Sequence, residues 1–160
     1  MSSINYITGD ATRPETRPAI IVHVCNDVGA WGAGFVLAIS RRWTKPERLY
    51  RSWARGGQAL RFELGEVQFV VVETGLVVAN LVGQQGLCRR GAEPPVRIDA
   101  IARGLRRVAA SARELGASVH MPRIGCGLAG GTWREIGPVV ARELVERGID
   151  VTVYDLAPQS

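Results

Sequence analysis

The chemistry-bearing residues of this chain concentrate beside glycines. The densest stretch is His23-Val-Cys-Asn-Asp-Val-Gly-Ala-Trp-Gly-Ala-Gly34, with an imidazole, a carboxamide (Asn26) and a carboxylate (Asp27) ahead of Gly29, Gly32 and Gly34. A histidine that titrates near neutrality can serve as general acid or base, and a loop aspartate can activate a water. His23 and Asp27 are therefore the catalytic candidates. Asp27 is the stronger, because it lies in the loop itself while His23 sits in an apolar run whose alternation can turn it into the core. Glycine lets main-chain N–H groups approach a ligand, and a helix start adds partial positive charge. Strand, glycine loop, helix suits a phosphate or a ribose, and it also suits a tight turn with no ligand.

A second stretch, Met121-Pro-Arg-Ile-Gly-Cys-Gly-Leu-Ala-Gly-Gly131, has the same architecture. In open α/β sheets, ligands bind where loops leave the carboxyl ends of strands. Two such loops on one edge can grip a diphosphate from both sides. Cys126 is read as a source of backbone and a small side chain rather than of a reactive thiol. Glu73 and His120 are weaker acid–base candidates. No metal site is expected, since His23 and His120 are isolated from each other and from any acidic cluster.

The elements that must position these loops follow from periodicity. Apolar, β-branched runs predict strands at 5–8, 19–25, 66–73, 76–82, 118–121 and 150–156. Thr74-Gly75 between two of them has hairpin spacing. Spacings of three and four predict helices over 34–43, 46–54, 96–115 and 133–147. Residues 83–95 carry Gly, Arg and Pro without periodicity and read as a long loop of the functional or mobile kind. Strands alternating with helices predict a three-layer α/β/α sandwich with a mixed, mostly parallel central sheet. No repeat or linker divides the chain, so a single domain over 1–160 is expected.

Bulk composition narrows the class. Nearly half the residues are hydrophobic and no charge block interrupts them, which excludes a disordered chain. No apolar run is long enough for a membrane span, and Met1-Ser-Ser-Ile-Asn-Tyr6 lacks the pattern of a secretory leader. Three scattered cysteines (Cys25, Cys88, Cys126) argue against a disulfide framework and for a reducing, cytoplasmic setting. The net charge of +5 comes mostly from arginine, with clusters at Arg41-Arg42, Arg89-Arg90 and Arg106-Arg107. These suit either an anionic partner, nucleotide or nucleic acid, or plain solvated helix faces.

In order along the chain, Gly9-Asp10, the Asn26…Gly29-Ala-Trp-Gly-Ala-Gly34 loop and Pro122-Arg-Ile-Gly-Cys-Gly-Leu128 resemble the macrodomains, from about residue 5 to 156. Pro-Arg-Ile-Gly-Cys-Gly-Leu is similar to the terminal ADP-ribose glycohydrolase branch with its DNA de-ADP-ribosylating antitoxins. The His23-Val-Cys-Asn start and the Trp-Gly-x-Gly loop resemble the fungal ADP-ribose 1″-phosphate phosphatases. The resemblance implies that ADP-ribose, or an ADP-ribosylated molecule, is the ligand and that no cofactor is needed. It implies that Asp10 accepts from the adenine amino group, with Tyr154 or Asp155 near the adenine. Asn26 and the loop Gly29, Trp31, Gly32, Gly34 would surround the distal ribose. Arg123, Ile124, Gly125, Cys126, Gly127 and Leu128 would line the diphosphate, mainly through main-chain N–H groups.

The resemblance also has a departure. The glycohydrolase branch works through a lysine after the fourth strand and an aspartate in the second glycine loop. Here those positions fall at Gly83-Gln84-Gln85 and at Ala129 or Gly130, and the chain's single lysine is Lys45. A lysine–aspartate mechanism is thereby excluded, because glutamine cannot form the amine adduct. Two readings remain: a hydrolase of an ADP-ribose derivative working through Asp27 and His23, and an ADP-ribose reader without turnover.

Overall fold

The computed structural model describes residues 3–157. The first two residues of the stretch examined for a leader, and the last three of the expected 1–160 domain, lie outside them. Six strands form one sheet: β1 (Asn5–Thr8), β2 (Ala19–Asn26), β3 (Val67–Glu73), β4 (Leu76–Gln84), β5 (Ser118–Met121) and β6 (Val151–Asp155). Their spatial order is β1-β6-β5-β2-β4-β3, and every neighbouring pair is parallel except the β3–β4 hairpin. Four helices, α1 (Phe35–Arg42), α2 (Lys45–Ala54), α3 (Ile98–Leu115) and α4 (Trp133–Glu143), complete the mixed, mostly parallel α/β architecture.

The alternation along β2 shows why the sheet is covered on both faces. Ile20 and Val22 point into the cluster built with Ile101, Leu105 and Val108 of α3 and Ile136 and Val140 of α4. Ala19, Ile21 and Cys25 point the other way, into the cluster with Val36 and Ile39 of α1 and Tyr50 and Trp53 of α2. A strand buried on both faces reads as a continuous apolar run rather than an alternating one, as Ala19-Ile-Ile-Val22 does. Among the described residues, no helix is long and apolar enough to cross a membrane.

Most boundaries fall within one residue of the periodicity reading, and three differ with consequences for the site or the core. β4 continues past Val82 to Gln84, which pairs with Asn26 beyond a register shift at Cys25/Asn26. That extension carries Gln84 to the edge where the first glycine loop begins. α3 starts at Ile98 rather than at Val96, whose N–H donates to Ala129 O (3.0 Å) and ties the second glycine loop to the α3 entry. The last helix stops at Glu143 and is followed by a 3₁₀ turn, Val145–Arg147, because Ile149 N–H and Arg147 N–H both fold back onto Leu144 O.

Candidate functional site

Because β1, β6, β5, β2 and β4 run parallel, their carboxyl ends share one edge, and the loops leaving β2, β5 and β4 meet there. The first loop is braced from inside. Asn26 Nδ2 donates to Ala30 O (2.8 Å), while its Oδ1 accepts from the N–H groups of Val28 and Ala30 (3.0 Å each). Tyr50 of α2 donates its hydroxyl to Asn26 O, and Arg51 Nη1 donates to Gly29 O (3.2 Å). Trp31 is 4% exposed, its indole N–H donating to Ser40 Oγ (2.8 Å), with its ring against those of His23 and Tyr50. Asn26, Trp31 and Gly29, expected around a ribose, use side chains or carbonyls to shape the loop, and Asn26 also lines the chamber described below. The Asn26 Nδ2 gives one of its two hydrogens to Ala30 O, leaving one donor.

What the first loop offers is the start of α1. Gly34 has φ 85° and ψ −148°, a region open essentially to glycine alone, and it supplies no side-chain cap. No acid lies in the first turn of α1. The first N–H groups of the helix are thus left for an anion. Facing them is the second loop, whose main chain is pressed onto the helical layer at Gly125. With φ 73° there, a Cβ would lie 2.7 Å from Ile136 Cδ1 and 3.0 Å from Ile101 Cδ1. Gly131 N–H donates to Gly125 O (2.9 Å) and closes the loop, and Leu128 reaches back over Gly34.

Between the loops lies a cavity of about 320 Å³ lined by Val24, Gly34, Phe35, Val36 and residues 122–129. It continues into a second chamber of about 380 Å³, lined by Asn26, Gly32, Ala33, Gln84, Leu87 and Leu128. Val24, Ala33, Val36, Gln84 and Leu128 belong to both, so the two are halves of one groove. On the β1–β6 side a third cavity of about 430 Å³ holds Asp10, Arg13, His120 and Tyr154. Asp10 Oδ1 accepts from the N–H and the hydroxyl of Thr12 (2.8 and 2.7 Å), and Arg13 lies 3.5 Å from Oδ2. Burial raises the Asp10 pKa in part, but these hydrogen bonds and the arginine outweigh it and hold the carboxyl below its ordinary value.

The two catalytic candidates are placed apart from open chemistry. His23 is 1% exposed, packed between Trp31 and Phe35 at the floor of the groove. Its Nε2 lies 2.6 Å from Asn80 Oδ1, and Asn80 passes the chain on to Gln68 Oε1 (3.0 Å) on β3. Burial lowers the His23 pKa to about 4, against the smaller opposing effect of the Asn80 hydrogen bond, so the ring is neutral at pH 7. His23 is thus placed in the groove wall as the end of a polar ladder across β2, β4 and β3. Asp27 does not line the groove. Its Oδ1 accepts from Gly86 N–H (2.8 Å), fastening the first loop to the segment that follows β4.

Other expected residues divide similarly. Arg123 borders the groove, but its guanidinium forms a two-pronged pair with Asp155 (2.7 and 3.0 Å) and lies over the rings of Tyr6 and Trp133. Tyr154 turns its hydroxyl to His120 Nδ1 (2.7 Å), while its ring lies beneath Gly9. Gly125, Cys126, Gly127 and Leu128 line the groove together, with Ile124 anchored in the core beneath. Burial raises the Cys126 thiol pKa, which Arg123 only partly offsets, so it stays protonated at neutral pH. Glu73 and His120 are both engaged elsewhere, Glu73 by Arg17 and Trp43, His120 by Ser118 and Tyr154. Phe35, Val36 and Leu87 line the groove without having been singled out. Only the continuation of β4 and the exact start of α1 place them there.

A mixed sheet whose central strands deliver two glycine loops to one edge, one opening an uncapped helix, defines an α/β protein with a main-chain-lined groove at that edge. The chain belongs to the macrodomain family. It is 53% identical to a macrodomain protein from Streptomyces coelicolor, with a TM-score of 0.85 over 96% of this chain and 99% of that one. A protein of unknown function from Bacteroides thetaiotaomicron is 49% identical, with a TM-score of 0.92 over 96% and 98% of the two chains. The Thermosipho africanus DarTG in complex with ADP-ribose shares the fold at 18% identity, with a TM-score of 0.77 over 100% of this chain and 43% of that one. No family model matches. Among curated proteins, the chain is 30% identical over 96% of its length to the mouse chromodomain-helicase-DNA-binding protein 1-like, but spans only 18% of that relative. The ADP-ribose 1″-phosphate phosphatase of Saccharomyces cerevisiae is 36% identical over 50 residues, which is 31% of this chain and 28% of that protein.

Proposed function

We propose that the protein binds ADP-ribose, or the ADP-ribose end of a modified molecule, along the carboxyl edge of its sheet. One observation carries this reading: the uncapped start of α1 faces the main chain of Gly125–Leu128 across a single groove. A diphosphate fits that gap because helix-start and glycine-loop N–H groups bind anions without a lysine. The strand order supports one direction for the ligand in this reading. Adenine lies on the β1–β6 side, where Asp10 keeps Oδ2 toward a donor, and the diphosphate lies over β5 and β2. The distal ribose falls over β2 and β4, in the chamber bounded by Gly32, Gln84 and Leu87. The Thermosipho protein's complex with ADP-ribose and the yeast relative's name are in keeping with this ligand.

A second reading, hydrolysis of an ADP-ribosyl derivative, rests on Asp27, which stands behind the groove wall rather than in it. Its carboxylate stands one residue beyond Asn26 of the distal chamber and engages Gly86 through Oδ1. Calorimetric titration with ADP-ribose tests the first reading, with saturable one-to-one binding expected. Incubation with ADP-ribose 1″-phosphate and with ADP-ribosylated protein and DNA then tests the second. Release that disappears in Asp27→Asn supports a hydrolase, while binding without release supports a reader. No binding of ADP-ribose overturns both.

A further inference from the structure

We infer that the distal chamber selects ADP-ribose whose C1″ substituent is uncharged, a free hydroxyl or a neutral glycosidic group, over the 1″-phosphate. This rests on the ADP-ribose reading above and adds the substrate class at its open end. The two halves of the groove differ in kind. The inner half carries Gly34 and Phe35 of the α1 start and the main chain of the second glycine loop, while of that helix start only Ala33 and Val36 also border the distal half. The residues lining the distal half bear no charge among those described. Apart from the spent amide of Asn26, its polar side chains are Gln84, whose Nε2 donates to Gly86 O (2.9 Å), and the buried Cys25 thiol.

Among the described residues no guanidinium lines the chamber, that of Arg90 included, and several near it have other partners. Arg51 binds Glu47 and Gly29 O, Arg89 donates to Ala92 O, and Arg97 is spread over Gln85, Pro94 and Val96. The ionised side chain adjoining the chamber through both of its loops is Asp27, next to Asn26 and bonded to the N–H that precedes Leu87. A phosphomonoester brings about −1.5 to −2 charge at pH 7. Placed here it would lose hydration without gaining a cation from the chamber lining. A neutral substituent has no such cost. It would also meet Leu87 and Leu128, which stand 54% and 71% exposed at the chamber and offer apolar surface to cover.

The test is the affinity of the intact protein for three probes: ADP-ribose, its 1″-O-methyl glycoside and ADP-ribose 1″-phosphate. The glycoside is expected to bind within about threefold of ADP-ribose, and the 1″-phosphate about tenfold or more weaker, equivalent to ~1.4 kcal/mol. Leu87→Arg, which brings a cation to the lip, should shift the phosphate-to-hydroxyl affinity ratio by about fivefold or more in favour of the phosphate. Equal or tighter binding of the 1″-phosphate, loss of the glycoside, or an unmoved ratio in Leu87→Arg overturns the inference while leaving ADP-ribose binding intact. Failure of ADP-ribose itself to bind overturns the underlying reading and this inference with it.

Discussion

Asp27 Oδ1 accepts the N–H of Gly86 at 2.8 Å, and the N–H of Asp27 in turn donates to Gln84 O at 2.9 Å. One residue therefore fastens the first glycine loop to the segment leaving β4, and it can be tested as a clasp and as a base separately. Asp27→Ala removes the acceptor and leaves Gly86 N–H partly buried, costing about 1–2 kcal/mol in urea unfolding and weakening ADP-ribose. Asp27→Asn keeps an oxygen for Gly86 but cannot take a proton. Calorimetry on that variant should return near-native ADP-ribose affinity, whether or not turnover is lost.

Gly125 is the most constrained position of the second loop. Alanine there would occupy a left-handed conformation and drive its Cβ against Ile136, Ile101 and Val96 at 2.7, 3.0 and 3.2 Å. Backbone strain and overpacking together predict a loss of about 2–4 kcal/mol, with the loop pushed off the helical layer. Chemical denaturation gives the stability. ADP-ribose titration should register the displaced loop as weaker binding even under conditions where the variant is fully folded.

The fold was legible because it is written in periodicity. β2 announces a doubly covered strand, α3 carries its apolar residues at three and four, and two glycine loops each follow a strand and precede a helix. The roles inside the loops were less legible, because residue type does not say which way a polar group is spent. Asn26, read from its residue type as a ribose ligand, is also a loop brace at the wall of the distal chamber. His23, a candidate base by residue type, is one end of a ladder through Asn80, 57 residues away in sequence, and Gln68, a further 12 residues from Asn80. Only the strand register, with His23 opposite Asn80 and Asn80 opposite Gln68, brings that ladder together. Leu87 was hidden for a related reason. It acquires meaning from the pairing of Gln84 with Asn26 rather than from any local motif.

The buried imidazole has a consequence for acid stability. His23 has a folded-state pKa of about 4, against about 6.5 when exposed, so below pH 6.5 the unfolded chain binds a proton that the folded chain refuses. Unfolding free energy is therefore fully retained above pH 6.5 and falls as pH drops toward 4, by about 3 kcal/mol from this group at the bottom of the window. His120, lowered to about 4 by burial as well, adds to the slope in the same direction. In NMR titrations both imidazoles should remain neutral at pH 6, and urea midpoints should decline between pH 6.5 and 4.5. A histidine titrating near 6.5 would show that its ring is open to solvent.

Asp10 offers a test of ligand direction that does not depend on turnover. Its Oδ1 is held by Thr12, leaving Oδ2, 3.5 Å from Arg13, as the acceptor for a base amino group. Asp10→Ala should weaken ADP-ribose by about 1–3 kcal/mol, but part of that loss would come from freeing Thr12. Asp10→Asn isolates the rest. Its carboxamide oxygen can still hold Thr12, while the group replacing Oδ2 becomes a donor and meets the adenine amine donor to donor. Guanine presents an oxygen where adenine presents that amine, so the variant should lose affinity for ADP-ribose and gain it for GDP-ribose. Competition titrations with the two nucleotides read the exchange directly. If the adenine preference were unchanged in Asp10→Asn, the base would have to lie away from the β1–β6 side of the edge.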